Sequence, residues 1–507
     1  MKQQDHEPKR VPTGVPGLDT VLKGGLLRGG VYIVQGQPGA GKTVLTNQIC
    51  FHHARSGGKV LYTTLLAESH ERLMFNLGTF KFFDPAAVPS LITYLSGFSI
   101  LEEGGLKALV DLVRKEARDR HVSLLVIDGL VTAAESAETD REFKRFIHAL
   151  QIHAGLMGCT VILLTSGTVN YVRPEHTMVD GVIELADVRF ARRVERELEV
   201  RKFRGSDYLR GAHTFNIESD GVRVHPRIEV LLGNPSQEDP CGDRRISTNI
   251  PRLDAILEGG LICGSTTLVT GPSGSGKTTL GLQFLAGSRE KEPGLFFGFF
   301  ETPRRLINKG RALGLDLGTL ADKGVVKFLW HPPTDRTLDA LGNLLIDTVR
   351  LHGIKRLFID GLDGFTKCAA YPERISHFFC AIANELRTQG VTTLCTAELR
   401  QVLSENIDLP VTGISTMAEN AVLLRFSEVH SELFRLMSVL KMRDSGYHPA
   451  TREFRIGNGG VDISESYRSV EEIMEGRAKP RIDPNEVVVK PTPTPARSPS
   501  PKGKKKK

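Results

Sequence analysis

The chain is poor in several things that would each have named a class of protein. It has no run approaching the ~18 consecutive apolar residues that a bilayer crossing needs, so a membrane-spanning role is not expected. The opening Met1-Lys-Gln-Gln-Asp-His-Glu-Pro-Lys-Arg10 lacks an apolar core segment and predicts no secretory leader. Seven cysteines, an odd number, include no Cys-x-x-Cys, so neither a disulfide framework nor a zinc site is predicted, and a reducing cytoplasm is the expected location. Aromatic residues suited to stacking on bases are scarce, with one Trp and eight Tyr. Charge of one sign is also missing from the body. The net +7 is owed to residues 476–507, which hold ten Lys or Arg against two Asp or Glu, and the rest of the chain stands at −1. A duplex-binding protein would carry its basic stripe on the fold itself, so nucleic acid is not an expected partner.

What the sequence does have is itself, twice. At 507 residues, 40% hydrophobic and 25% charged, it is too long for one domain and has the composition of a folded protein. Gly17-Leu-Asp19 returns as Arg252-Leu-Asp254, Gly24-Gly-Leu26 as Gly259-Gly-Leu261, and Lys42 as Lys277, each 235 residues on. A period this long predicts two whole domains, placed at 10–235 and 244–476. The joint falls in the turn-rich Gly233-Asn-Pro-Ser-Gln-Glu-Asp-Pro-Cys-Gly242. Within each copy, apolar β-branched runs such as Val31–Val34, Lys59–Thr64, Ser123–Ile127 and Thr160–Leu164 alternate with helical patterns. That alternation predicts α/β domains with a mostly parallel sheet and helices on both faces. Residues 477–507, rich in proline and ending in Lys-Gly-Lys-Lys-Lys-Lys, are expected to be a disordered tail.

The chemistry is concentrated in two glycine loops, Gly36-Gln-Pro-Gly39-Ala-Gly41-Lys42-Thr43 and Gly271-Pro-Ser-Gly274-Ser-Gly276-Lys277-Thr278. Both fit G-x-x-x-x-G-K-[S/T] between a strand and a helix, the P-loop context. Glycines let successive N–H groups turn inward on phosphate oxygens, and the following helix adds the positive end of its dipole. Lys42 and Lys277 are expected to neutralise the β- and γ-phosphates of ATP, and Thr43 and Thr278 to hold Mg²⁺. Leu124-Leu-Val-Ile-Asp128 and Arg356-Leu-Phe-Ile-Asp360 each end a buried run in one carboxylate, expected to complete the Mg²⁺ site. Glu68 and Glu301 each end the strand after the loop helix and are candidates for orienting or deprotonating an attacking group; a solvated Glu opening a helix is the competing reading. Lys202 with Arg204, and Lys441 with Arg443, stand two apart. On strands each pair would share one face, either as an exposed basic edge or as cations that serve a neighbouring subunit's γ-phosphate.

Taken together these residues resemble the KaiC family, the circadian-clock branch of the RecA-like ATPases, over nearly all of 11–476. The likeness includes Thr13-Gly-Val-Pro-Gly-Leu-Asp19, both loops, Val182-Ile-Glu-Leu-Ala-Asp187, Val439-Leu-Lys-Met-Arg443, Arg452-Glu-Phe-Arg-Ile456 and Tyr467-Arg-Ser-Val470. The resemblance implies tandem RecA-like domains stacked as homohexameric rings, with ATP between protomers, so that the Lys/Arg pairs act in trans. It also implies protein signalling partners and marks Ser415 and Thr416, in Gly413-Ile-Ser-Thr-Met417, as autophosphorylation sites. The first copy has His176-Thr-Met-Val-Asp180 there. The family's catalytic position carries two consecutive glutamates; here the first is Ala67 in one domain and Phe300 in the other, which leaves Glu301 or nothing as a base in the second. The Pro- and Lys-rich tail also departs from the family pattern. An ATP-hydrolysing ring with Ser/Thr autokinase activity is therefore the leading expectation. A nucleic-acid-dependent RecA-like motor and a weakly catalytic nucleotide-dependent scaffold are the alternatives.

Overall fold

In a computed structural model the structure describes residues 9–66, 70–167, 174–190, 192–238, 240–334, 336–399, 417–429 and 432–464. The tail and the Tyr467–Val470 stretch lie outside the described residues.

The strand Val31–Gly36 is buried at every position, because it lies mid-sheet with helices on both sides. Its neighbours are Thr160–Ser166 and Gly181–Phe190, both parallel to it. Beyond Thr160–Ser166 come Leu124–Asp128, Val60–Thr64 and Ile92–Ser96, all parallel. Side-chain alternation divides these strands between two apolar layers. Tyr32, Val34, Tyr62, Val126 and Ile162 face one layer, while Val31, Ile33, Leu61, Leu125 and Val161 face the other. The opposite edge, Arg193–Phe203, Ala212–Glu218 and Gly221–His225, is antiparallel throughout. The sequence reading had not separated that edge from the parallel core.

The second copy repeats the nine-stranded order, with Thr266–Gly271 between Thr392–Glu398 and Asn420–Val429. Both units are RecA-like α/β sheets. No helix among the described residues is long and apolar enough to cross a membrane.

Two features were not foreseen. Cys241 and Cys263 form a disulfide, correcting the expectation drawn from the cysteine count. Their separation of 22 residues is closed by antiparallel pairing of Arg245 with Ile262, which brings the flanking residues together. The second feature is the packing of the joint: Ile228 and Leu232 belong to the second domain's apolar core. Around them, Ile228 N–H donates to Asp339 Oδ1 at 3.2 Å, and Asn343 Nδ2 donates to the Pro226 carbonyl at 3.0 Å. Arg374 spans Glu229 and Asp339, with bonds of 2.7–3.1 Å to both carboxylates.

Candidate active sites

Each phosphate loop leaves the C-terminal end of the central strand and enters a helix, Lys42–Arg55 in the first copy and Lys277–Ala286 in the second. Gly41 and Gly276 precede these helices with φ of 99° and 105°. That is the left-handed region in which a side chain is strained. Space is also tight: a Cβ at Gly41 would come within 2.6 Å of the Ile217 side-chain tip, which would have to shift, and one at Gly276 within 2.6 Å of the Phe454 ring.

Lys42 Nζ donates to the carbonyls of Gly36 and Gln37 at 2.8 and 3.0 Å, and Lys277 Nζ to those of Gly271 and Pro272 at 2.7 and 2.8 Å. Both ammonium groups thus lie curled over their own loops. Burial lowers the pKa of each; nearby Asp128 opposes the shift in the first site, and Glu398, Asp360 and Asp363 oppose it in the second. An anion in the loop would add to that opposition and favour the charged lysine.

The two carboxylates at the strand ends are held differently. Asp360 Oδ2 accepts from Thr278 Oγ1 at 3.0 Å and Oδ1 from Thr396 Oγ1 at 2.8 Å. Burial raises the Asp360 pKa, and these two hydroxyls pull it back. In the first copy Asp128 Oδ2 accepts from the buried Tyr62 hydroxyl at 2.8 Å. Tyr62 and Thr396 were missed in the sequence because they reach the aspartate from adjacent strands.

A hydroxyl 3.0 Å from a carboxylate, on a buried sheet end beside a phosphate loop, fits Mg²⁺. That ion takes hard oxygen ligands and usually only one or two protein carboxylates together with phosphates. Thr278 and Asp360 would hold it in the second site, Thr43 and Asp128 in the first.

The second loop opens on a cavity of about 430 Å³ lined by Lys277, Thr278, Glu301, Asp360, Glu398 and Phe300, among others. This volume lies within the usual range for small-ligand sites. Glu301 sits 3.4 Å from Lys309 Nζ. Phe300, the residue before Glu301, is 54% exposed, so its ring meets solvent and not the core. Its ring carries the Lys367 ammonium at 4.9 Å. Glu68, Ser415 and Thr416 lie outside the described residues.

Lys202 and Arg204 are brought together, away from the loop of their own domain, and Lys441 takes the equivalent place in the second copy. Lys202 Nζ donates to the carbonyls of His176 and Thr177, each at 2.9 Å, and Arg204 Nη2 to that of Thr177 at 3.0 Å. Lys202 is in register with Val182, and Val182 with Ile33, three residues before the loop opens at Gly36. Three residues of strand span about 10 Å, and the side chain reaches toward the segment before Gly181, farther still from the loop. Lys441 donates to the Ala418 carbonyl at 2.8 Å in the equivalent place, with Arg443 just beyond its strand.

With this geometry in view, the comparison with known proteins is informative at the level of the whole chain. A family model described as "ATPase: KaiC" matches residues 11–229 and again 246–468. The circadian clock oscillator protein KaiC of Picosynechococcus sp. is 25% identical over 481 residues, covering 92% of each chain. KaiC 1 of Synechocystis sp. is 26% identical over 488 residues, covering 92% of this chain and 91% of its own. KaiC of Synechococcus elongatus is 24% identical over 486 residues with the same two shares. Two nine-stranded sheets, each ending its central strand in a lysine-capped phosphate loop, are matched end to end by one model applied twice: the chain belongs to the KaiC family of ATPases.

Proposed function

We propose that both duplicated sites bind Mg-ATP and hydrolyse it within a homohexameric ring. In this reading the second site also transfers its γ-phosphoryl group to Ser415 and Thr416 of the chain's own kind. The observation that carries the reading is the recurrence, in both copies, of Lys, Thr and Asp around a glycine loop at the C-terminal end of a central strand. Lys42 and Lys277 leave their loop carbonyls for the β- and γ-phosphates, and the loop amides hold the remaining oxygens. Thr43 with Asp128, and Thr278 with Asp360, would hold Mg²⁺, which when bound would supply charge neutralisation to the phosphates. Glu68 orients the attacking water in the first site, and Glu301, steadied by Lys309, helps to orient the nucleophile in the second.

Lys202, Arg204 and Lys441 reach away from their own loops, which supports a role for them, together with Arg443, on a neighbour's γ-phosphate. A ring places such a neighbour beside every site. The family relationship supports a regulatory output of the clock type, read by protein partners through the ring's nucleotide or phosphorylation state.

Incubation with γ-labelled ATP tests the transfer step. Label is expected on the wild-type chain and lost when Ser415 and Thr416 are both changed to Ala. Label that survives this double change rules out those hydroxyls as acceptors. Light scattering with and without Mg-ATP tests the ring, and a chain that stays monomeric with nucleotide bound removes every trans assignment.

A further inference from the structure

The cavity of the second site holds a carboxylate where the equivalent strand of the first copy has none. Strand Thr392–Glu398 lies parallel to Thr266–Gly271, and its last residue, Glu398, is in register with Gly271, where the phosphate loop begins. Neighbouring strands are about 4.8 Å apart, and Lys277 Nζ is 2.7 Å from the Gly271 carbonyl. Glu398 is exposed at the strand end and lines the cavity with Lys277, Thr278 and Asp360. In the first copy the residue in register with Gly36 is Ser166, which has no carboxylate.

The other acids of the cavity have partners. Asp360 accepts two threonine hydroxyls, Glu301 pairs with Lys309, and Asp363 also has a partner. Glu398 alone of these four makes no hydrogen bond or ion pair with the described residues. Where the family has a first glutamate, the cavity has the Phe300 ring, which cannot accept a proton.

We propose that Glu398 is the general base of the second site. It takes the proton of the oxygen nucleophile, water or a side-chain hydroxyl, as that oxygen attacks the γ-phosphorus. The new O–P bond forms while the bond from the γ-phosphorus to the β,γ-bridging oxygen breaks. The electron pair leaves with ADP, and Glu398 later releases the proton to solvent. Lys277 stabilises the departing charge, and Glu301 keeps an orienting role because Lys309 ties it down. The proposal rests on the reading that the second site hydrolyses ATP.

The test is phosphate release by the full chain carrying Lys42→Ala, so that only the second site contributes. Glu398→Gln is expected to lower kcat by about 100-fold or more. Binding of a fluorescent ATP analogue should stay within about threefold, as expected for a group acting in the transition state. Glu398→Asp should recover more of the rate than Gln, and Glu301→Gln should cost less of the rate than Glu398→Gln. A rate within about threefold of the parent in Glu398→Gln overturns the proposal, as does a loss of binding equal to the loss of rate. Phosphate release that survives Glu398→Gln removes only this assignment, whereas no release from the Lys42→Ala parent removes the second site's hydrolysis and the base together.

Discussion

Thr396 shows how much a single hydroxyl can matter beside a buried carboxylate. In the proposed site Asp360 would have to be ionised to hold Mg²⁺; burial raises its pKa, and the hydrogen bonds from Thr396 and Thr278 lower it. Thr396→Val removes one of those bonds, worth about 1 kcal/mol, and so shifts Asp360 further toward the neutral form. The Mg²⁺ concentration for half-maximal second-site turnover should rise about fivefold, most strongly at the acid end of the pH range. A variant with unchanged Mg²⁺ dependence at low pH would mean that Thr396 does not tune the carboxylate. At this scale the sequence was legible where one segment supplies all the chemistry. A phosphate cradle needs glycines, Lys and Thr at fixed spacing, and that spacing is local. Tyr62, Thr396 and Glu398 were not legible, since they arrive from strands whose order in the sheet is not their order in the chain. A faint signal did exist for Glu398, because the 232-residue offset that superposes Asp128 on Asp360 also superposes Ser166 on Glu398.

Among elements, the short helix Ile228–Leu231 joins the two halves. It follows the antiparallel strand Gly221–His225 of the first sheet, yet Ile228 is fully buried in the second domain's core. The Arg374 clasp holds it there, with a side chain 20% exposed against an Asp339 side chain 1% exposed. Burial raises the Asp339 pKa against the opposing bonds and charge of Arg374. Removing the arginine strands a buried carboxylate, so Arg374→Ala should destabilise the protein by about 3–5 kcal/mol. The triple change Arg374→Met, Asp339→Asn, Glu229→Gln should cost less, because no charge is left unpaired. Denaturant midpoints for the two variants check the order, and equal losses would show that Arg374 acts by packing alone. The sequence reading placed a joint near 233–242, where Gly, Pro and polar residues announce a turn, but missed the docking of Ile228 and Leu232 just before it, which depends on a groove made by another domain. The parallel strands were readable as continuous apolar runs buried on two faces. The antiparallel edge, with charges interleaved at Arg193, Glu195, Arg196 and Glu197, gave a weaker pattern.

At the scale of the whole molecule, five histidines among the described residues share one electrostatic fate. His53, His153, His213, His225 and His331 are each held below the ordinary histidine pKa, chiefly by burial and further by nearby arginines. For His225 the value falls to about 4. As pH drops below about 6.5, the unfolded chain binds protons that the fold refuses, so stability is fully present above that value and declines toward pH 4. The melting temperature should therefore fall steadily from pH 7 to pH 5, and His225→Gln should flatten part of the slope. A flat profile would contradict the burial of these rings.

The duplication itself makes the most direct claim, that two equivalent pockets grip ATP through a lysine and a glycine loop. It is tested by counting adenine nucleotide retained per chain in purified protein. Wild type should hold two, Lys42→Ala and Lys277→Ala one each, and the double variant none. Two nucleotides still bound to the double variant, or none on the wild type, would contradict the account.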